Sequence, residues 1–185
     1  WLKTDVSRET FERLEAYAAL IEKWNPKINL VSKSSLPEIW DRHIWDSAQI
    51  FDIAVEGSVW ADFGSGGGLP GIVLAIFAKE LRPDMQFYLV ESDQRKCAFL
   101  RNAVREIGLN VKVHAERIEV LDPIGASVIS ARALTDLNGL LEFVERHSAK
   151  NGVAILPKGE TWEKEILQAQ ENWSFEYEEI TSKTN

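Results

Sequence analysis

The sequence predicts an α/β protein: a doubly wound, mostly parallel sheet preceded by a helical extension. Three observations predict it. From residue 58 onward short apolar runs alternate with helical periodicities. A glycine-rich turn joins the first strand-like run to the first helix after it, and the first 57 residues read instead as two amphipathic helices. The 185 residues suit a single domain, divided into an extension (1–57) and a core (58–185).

Within the extension, Phe11, Leu14, Ala18 and Ile21 recur at helical spacing, with Ser7 placed to cap and Glu9 in the first turn. That helix is expected to end where Asn25-Pro26 breaks it. Ser35-Leu-Pro-Glu38 joins a capping box to a proline near a helix start. It predicts a second helix to about Phe51, with Leu36, Trp40, Ile44, Ala48 and Phe51 on its buried stripe. Past Glu56-Gly57, strands are expected at 59–63, 87–91, 111–114, 128–130, 153–156 and 175–180. Helices fit at 69–81, 94–107, 136–149 and 161–172, with Gly108 as a stop signal. Repeated strand–helix–strand units at this spacing imply helices on both faces of a parallel sheet, and such a sheet binds ligands beyond the carboxyl ends of its strands.

Composition excludes several classes. One cysteine, Cys97, cannot form an internal disulfide, and three scattered histidines show no metal-ligand spacing, so no metal is expected. No apolar run is long enough to span a bilayer, which implies a soluble, cytoplasmic chain; nothing demands more than a monomer. The formal net charge of -8 argues against indiscriminate attraction to phosphate backbones, so a nucleic-acid partner would be met by a local basic rim.

Ala61-Asp-Phe-Gly-Ser-Gly-Gly-Gly-Leu-Pro-Gly71 puts five glycines into eight positions. Such a turn lets backbone amides approach a ligand at a helix start. A mononucleotide P-loop needs Gly-Lys-Ser/Thr, and no lysine occurs between Ala61 and Ala78. A dinucleotide fingerprint does match at Gly66-Gly-Gly68-Leu-Pro-Gly71, with Glu91 twenty residues on, which leaves an NAD-dependent oxidoreductase as an alternative. In that frame, however, the first glycine should follow the strand almost at once, and Gly66 stands behind Asp62-Phe-Gly64-Ser. The overlapping frame Asp62-x-Gly64-x-Gly66-x-Gly68 resembles motif I of the Rossmann-like class I S-adenosylmethionine-dependent methyltransferases.

The flanks narrow the resemblance. Trp24-Asn-Pro-Lys-Ile-Asn-Leu30, Arg42-His-Ile-Trp-Asp-Ser47, Asp62 to Gly71, Val90-Glu-Ser92, Arg117-Ile-Glu119, Ser130-Ala-Arg-Ala133 and Leu156-Pro-Lys-Gly159 occur in the order of the RsmG (GidB) family, over residues 11–159. Members of that family are bacterial enzymes that methylate N7 of a guanine in 16S ribosomal RNA. The resemblance implies that Gly64, Ser65, Gly66 and Leu69 line the S-adenosylmethionine, and that Glu91 takes its ribose. It also implies that Ile118 and Glu119 enclose the adenine, and that Arg132 reaches the methionine end or the target nucleotide in a positioning role. Arg42, His43 and Lys158 become candidates for contact with the 16S RNA or the small ribosomal subunit. Two features are expected to depart from the family: Pro157 removes a backbone donor before Lys158-Gly159, and the family's last strand, which carries an arginine, is expected to be missing.

The residues fit that chemistry. Guanine N7 carries an unprotonated lone pair, so no general base is needed and alignment supplies most of the catalysis. The Asn/Asp-Pro-Pro-aromatic motif of exocyclic-amine enzymes is replaced by Ser130-Ala-Arg-Ala133, and Cys97 beside Phe99 and Leu100 reads as a packed thiol, not a nucleophile. Arg42, His43, Asp46 and Ser47 span about 140 degrees of a helix. They either brace the cofactor loop, meet RNA, or form a solvated face. A module that binds S-adenosylmethionine without catalysis is the remaining alternative.

Overall fold

The computed structural model describes residues 5–53 and 56–184. Residues 1–4 and 54–55, read above as part of the extension, and residue 185, read as the end of the core, lie outside the described residues. Helix α1 (Arg8–Ile28) starts where the Ser7 hydroxyl accepts the Thr10 N–H at 3.3 Å. It runs through Pro26, so the expected break at Asn25-Pro26 is corrected. Proline removes only its own donor near the helix end, while buried Asn25 compensates beyond it. The Asn25 Oδ1 accepts the N–H groups of Leu30 and Val31 at 2.7 and 2.9 Å, and Asn29 turns left-handed at φ 45°. Phe11, expected on the buried stripe, is 40% exposed and stacks on Trp40 at 5.5 Å.

The second expected helix is not one helix. It comprises a 3-10 turn (Leu36–Glu38), a π-helical stretch (Trp40–Trp45), the short α2 (Asp46–Ala48) and a 3-10 turn (Gln49–Asp52). Ser35 does not cap it, because its hydroxyl donates to the Ser32 carbonyl and pairs with His43. Ile39, Ile44, Ala48 and Ile50 carry the burial, whereas Leu36, Trp40 and Phe51 are only partly covered. The π stretch widens the helix where His43 lies, a local distortion that recurs at functional sites.

Strands β1 (Val59–Phe63), β2 (Gln86–Val90), β3 (Val111–His114), β4 (Ala126–Ala131) and β5 (Ser148–Ile155) form one parallel sheet in the order β3-β2-β1-β4-β5. Strand order reverses between β1 and β4, which is the switch point of a doubly wound sheet. Side chains alternate across it. Trp60 of β1 packs with Phe87, Val128, Leu74 and Ala75 on one face; Ala61 and Phe63 pack with Ile129, Ala131 and Leu140 on the other. Helices α3 (Gly71–Leu81) and α4 (Gln94–Ile107) share the first face with α1, and α5 (Leu137–His147) covers the second, with α6 (Trp162–Gln170) against it. The connection from β3 to β4 carries no helix; residues 115–125 cross as a loop.

The strand expected at 175–180 is corrected as well. That stretch has no strand pairing, and Tyr177 and Ile180 are exposed, because its glutamate-rich alternation meets no apolar surface. Beyond it the chain returns to the extension: Thr184 Oγ1 donates to Asp46 at 2.8 Å, and the Lys183 N–H donates to Gln49 at 2.9 Å.

Asn25→Ala should strip two donors of their buried acceptor and lower unfolding stability by about 2 kcal/mol. A urea midpoint equal to that of the unaltered chain would contradict the assignment.

Candidate active site

The glycine loop leaves β1 and enters α3 at the switch point. Gly64, Gly66 and Gly68 have φ of 63°, 54° and 85°, a region that side chains rarely adopt. The Ser65 hydroxyl donates back to the Asp62 carbonyl at 2.8 Å, its N–H to the Val90 carbonyl at 3.2 Å, and the Gly68 N–H closes the turn on the Ser65 carbonyl. Most of the glycines have a packing reason. A methyl on Gly64 would stand 2.7 Å from the Leu134 side chain and one on Gly67 3.2 Å from Leu30, while one on Gly68 would overlap Ile72 and stand 3.0 Å from the Tyr17 hydroxyl. On Gly71 it would overlap Leu89 and stand 2.7 Å from Asp62 Oδ2. Gly66 differs, since its nearest neighbour would be the Gly64 carbonyl at 3.7 Å, so this position faces open space. That is the backbone a ligand can approach.

Asp62 lies beneath the loop, 1% exposed. Its Oδ1 accepts from the Ser130 hydroxyl at 2.7 Å, and that hydroxyl accepts the Trp60 indole N–H at 2.9 Å, so β1 and β4 are tied across the switch point. Oδ2 faces the backbone of Gly71, the first residue of α3, without a hydrogen bond. Burial pushes the carboxyl up to about 6, against the opposing pull of the Ser130 hydrogen bond. Its negative charge sits at the positive end of α3.

Glu91, at the carboxyl end of β2, is 8% exposed and bridges two segments. One oxygen accepts the Gly66 N–H at 2.9 Å, and the other accepts the Asp93 N–H at 2.8 Å. Asp93 caps α4, and the Cys97 thiol behind it donates to the Glu91 carbonyl, so Cys97 is a buried packing thiol. The carboxylate therefore borders the one glycine of this loop that faces open space.

Arg132 follows β4 and is held from the extension. Its Nη1 lies 3.2 Å from Asp46 Oδ2, and its Nη2 lies 3.3 Å from His43 Nδ1. An arginine can only donate, so Nδ1 accepts and Nε2 carries the proton toward Ser35 Oγ at 2.8 Å. Desolvation, reinforced by Arg132 and Arg42, lowers His43 to about 4. Of the four residues read as one helical face, His43 and Asp46 thus converge on Arg132, whereas Arg42 is exposed and pairs with Glu38 one turn earlier. That Glu-to-Arg order is the favourable one on a helix.

The other expected site residues separate. Ile118 is buried beside Val90, Phe63 and Ala131 at the carboxyl ends of the strands, while Glu119 is exposed and paired with Arg117. Leu69 is buried in the core under α1. Lys158 is bound to Glu165 at 2.7 Å, and Glu165 also accepts the Leu137 N–H, so Lys158 ties α6 to the start of α5. Two contributors escaped the sequence reading. Tyr17 of α1 donates from a fully buried hydroxyl to the Gly67 carbonyl, and Leu134 lies over Gly64. A tyrosine on the buried stripe of α1, whose hydroxyl must find a partner, was the available signal for the first. Among the described residues no group of three or more His, Cys, Asp or Glu could hold a metal ion, and no helix is long and apolar enough to cross a membrane.

Comparison with known proteins agrees with this geometry. Residues 10–184 match the family model GidB, described as rRNA small subunit methyltransferase G. The ribosomal RNA small subunit methyltransferase G of Ruegeria pomeroyi is 57% identical over 97% of this chain and 88% of its own length; that of Paracoccus denitrificans is 52% identical over 97% and 92%. In fold, the chain resembles the crystal structure of an S-adenosylmethionine-dependent O-methyltransferase from Thermotoga maritima, with TM-score 0.55 and 16% identity over 84% of this chain and 55% of that one.

A depressed histidine gives a signed pH dependence. Unfolded His43 protonates near its ordinary value of 6.5, whereas folded His43 does so near 4. Its contribution to stability is complete above 6.5 and is lost as pH falls through that window. Asp62, raised by burial, acts in the opposite sense as pH falls, and comparison with His43→Asn cancels it. Melting temperatures measured between pH 7 and 4.5 should fall more steeply for the unaltered chain than for the variant, and parallel profiles would contradict the His43 assignment. Gly71→Ala should cost several kcal/mol by overpacking against Leu89 and Asp62, on the order of 2–4 kcal/mol by thermal or chemical unfolding.

Proposed function

The chain belongs to the GidB family of rRNA small subunit methyltransferase G proteins, and from that premise we propose that it transfers the methyl group of S-adenosylmethionine to N7 of a guanine in bacterial 16S ribosomal RNA. It does so as a cytoplasmic monomer, in one methyltransferase unit whose residues 1–57 are a helical extension of the 58–185 core. The observation that carries this reading is the Gly66 backbone, open to a ligand beside the Glu91 carboxylate at the switch point.

These residues fit S-adenosylmethionine. Glu91 offers carboxylate oxygens for ribose hydroxyls, the glycine loop offers a close backbone approach, and buried Ile118 offers an apolar wall for the adenine. Leu69 supports the loop from below, and Gly64 and Ser65 shape its first turn. They fit a dinucleotide less well. The N-terminus of α3, where a pyrophosphate would lie, is already faced by the buried Asp62 carboxylate, and Pro70 before it has no N–H to donate. That charge disfavours the NAD-dependent reading.

S-adenosylmethionine, when bound, would supply an electrophilic methyl on its sulfonium; the guanine N7 lone pair would form the new N–C bond as the C–S bond breaks and S-adenosylhomocysteine leaves, so no general base would be needed. The chain's part is then alignment and electrostatics. Arg132, fixed by Asp46 and His43, projects a held cation from the end of β4 toward the cofactor's carboxylate or the target nucleotide. Neutral His43 keeps Arg132 in place without competing with its charge. Arg42, exposed beside this clasp, and Lys158 are candidate contacts to the RNA; Lys158 would have to leave Glu165 to make one.

The test uses small ribosomal subunits or 16S RNA from cells lacking the enzyme, with labelled S-adenosylmethionine and mapping of the product base. Label at guanine N7 is expected, and label confined to another base or to protein would overturn the reading. Calorimetry should find binding of S-adenosylmethionine and none of NAD. Gly66→Asp, in open space but at a left-handed φ and beside the Glu91 carboxylate, should cost about 1–3 kcal/mol, leave the chain folded and abolish cofactor binding by filling the approach. Unchanged affinity would mean the pocket lies elsewhere.

A further inference from the structure

We infer that His147, assisted by Arg146, is a positioning residue that holds the adenine wall of the cofactor pocket, an inference that rests on the function proposed above. Both residues end α5, on the face of the sheet away from α1, and neither belongs to a motif that carries the family resemblance.

The loop 117–121 needs such support. It follows β3 where other strand connections have a helix, and its own backbone closes a single turn, with the N–H groups of Val120 and Leu121 on the Arg117 carbonyl. Two of its carbonyls point at α5. The Ile118 carbonyl accepts from His147 Nε2 at 3.0 Å, and the Leu121 carbonyl accepts from the Arg146 guanidinium at 2.9 Å. Ile118, the wall residue, is therefore fixed through its own backbone.

His147 also reaches the other side of the pocket. Its ring is fully buried and meets Phe63 edge-on, with centroids 5.2 Å apart and planes at 67°. Phe63 ends β1 and immediately precedes Gly64. One imidazole thus spans the root of the glycine loop and the carbonyl of Ile118, and it sets the gap between them. The bond to a carbonyl requires the proton on Nε2, which leaves Nδ1 as an acceptor with no partner among the described residues. A buried polar atom left unpaired costs stability, and an apolar ring would pack against Phe63 without that cost. The N–H at Nε2 is the feature phenylalanine could not supply, so the loop contact accounts for a histidine here. Arg146 adds the second contact from an exposed position, where its loss leaves the core undisturbed.

The roles separate by experiment. His147→Leu keeps apolar bulk and removes the donor, His147→Gln restores a donor near Nε2, and Arg146→Met releases only the Leu121 carbonyl. Direct binding of S-adenosylmethionine should weaken about tenfold in His147→Leu and less in Arg146→Met, with recovery in His147→Gln. In the methylation assay the KM for the cofactor should rise by the same factor, while kcat at saturating cofactor and the KM for RNA stay within about twofold. Should His147→Leu fail to fold, Arg146→Met carries the same test through its raised cofactor KM and unchanged RNA KM. Cofactor affinity unchanged in both variants, or a fall in kcat with cofactor KM unaltered, would overturn the inference while the unaltered chain still binds and methylates. Failure of the unaltered chain to bind S-adenosylmethionine would overturn the proposed function and this inference with it.

Discussion

A buried carboxylate at the switch point organises this structure. Asp62 has almost no access to water, so its charge must be met by its neighbours. Ser130 meets one oxygen and the start of α3 faces the other. Those demands fix β1 against β4 and require a glycine where α3 begins, because any side chain at residue 71 would strike the carboxylate and Leu89. The loop between Phe63 and Gly71 must then turn within a few residues, and three left-handed glycines make that turn. A ligand-binding edge is the geometrical result, since the turn leaves Gly66 facing outward beside Glu91.

The extension completes the site from the other side. It packs on α3 and α4 through an apolar core, and two of its polar contacts reach the glycine loop and the end of β4. Tyr17 holds the Gly67 carbonyl, and Asp46 and His43 hold Arg132. Asp46 also receives Thr184, so the end of the described chain, the extension and the end of β4 meet at one carboxylate. An isolated surface ion pair would contribute little. Here both partners are about three-quarters covered, and the pair serves to aim a cation.

Much of the core was legible because its signals are local. Strand β1 and helix α4 fall where an apolar run and the Gly108 stop put them, and the order of strands and helices fixes a parallel sheet. The errors arose where tertiary contacts outweighed local grammar. Ser35 reads as a cap, but it is engaged by His43, so the helix it should open becomes π and 3-10 turns. Asn25 rescues a helix that Pro26 should end. The run around Phe175 alternates like a strand, but no neighbour pairs with it. At the site, the glycines were legible as a group, but their separate reasons were not. Four of the five answer to side chains packed on them, Leu134, Leu30, Ile72 with Tyr17, and Leu89 with Asp62, and within the loop only Gly66 faces open space. Likewise no spacing rule could bring His43 and Asp46 to Arg132, because that meeting is made by the fold across nearly half the chain.

In the proposed function one pocket, bounded by the glycine loop, Glu91 and the loop 117–121, receives the cofactor. Hydrogen–deuterium exchange with and without S-adenosylhomocysteine measures this most directly, because it reports where ligand protects the backbone irrespective of turnover. Protection should concentrate in residues 64–69, 91–93 and 117–121, with β5 and α6 unchanged. Protection elsewhere, with the Gly66 amide exchanging as in the free protein, would contradict the account.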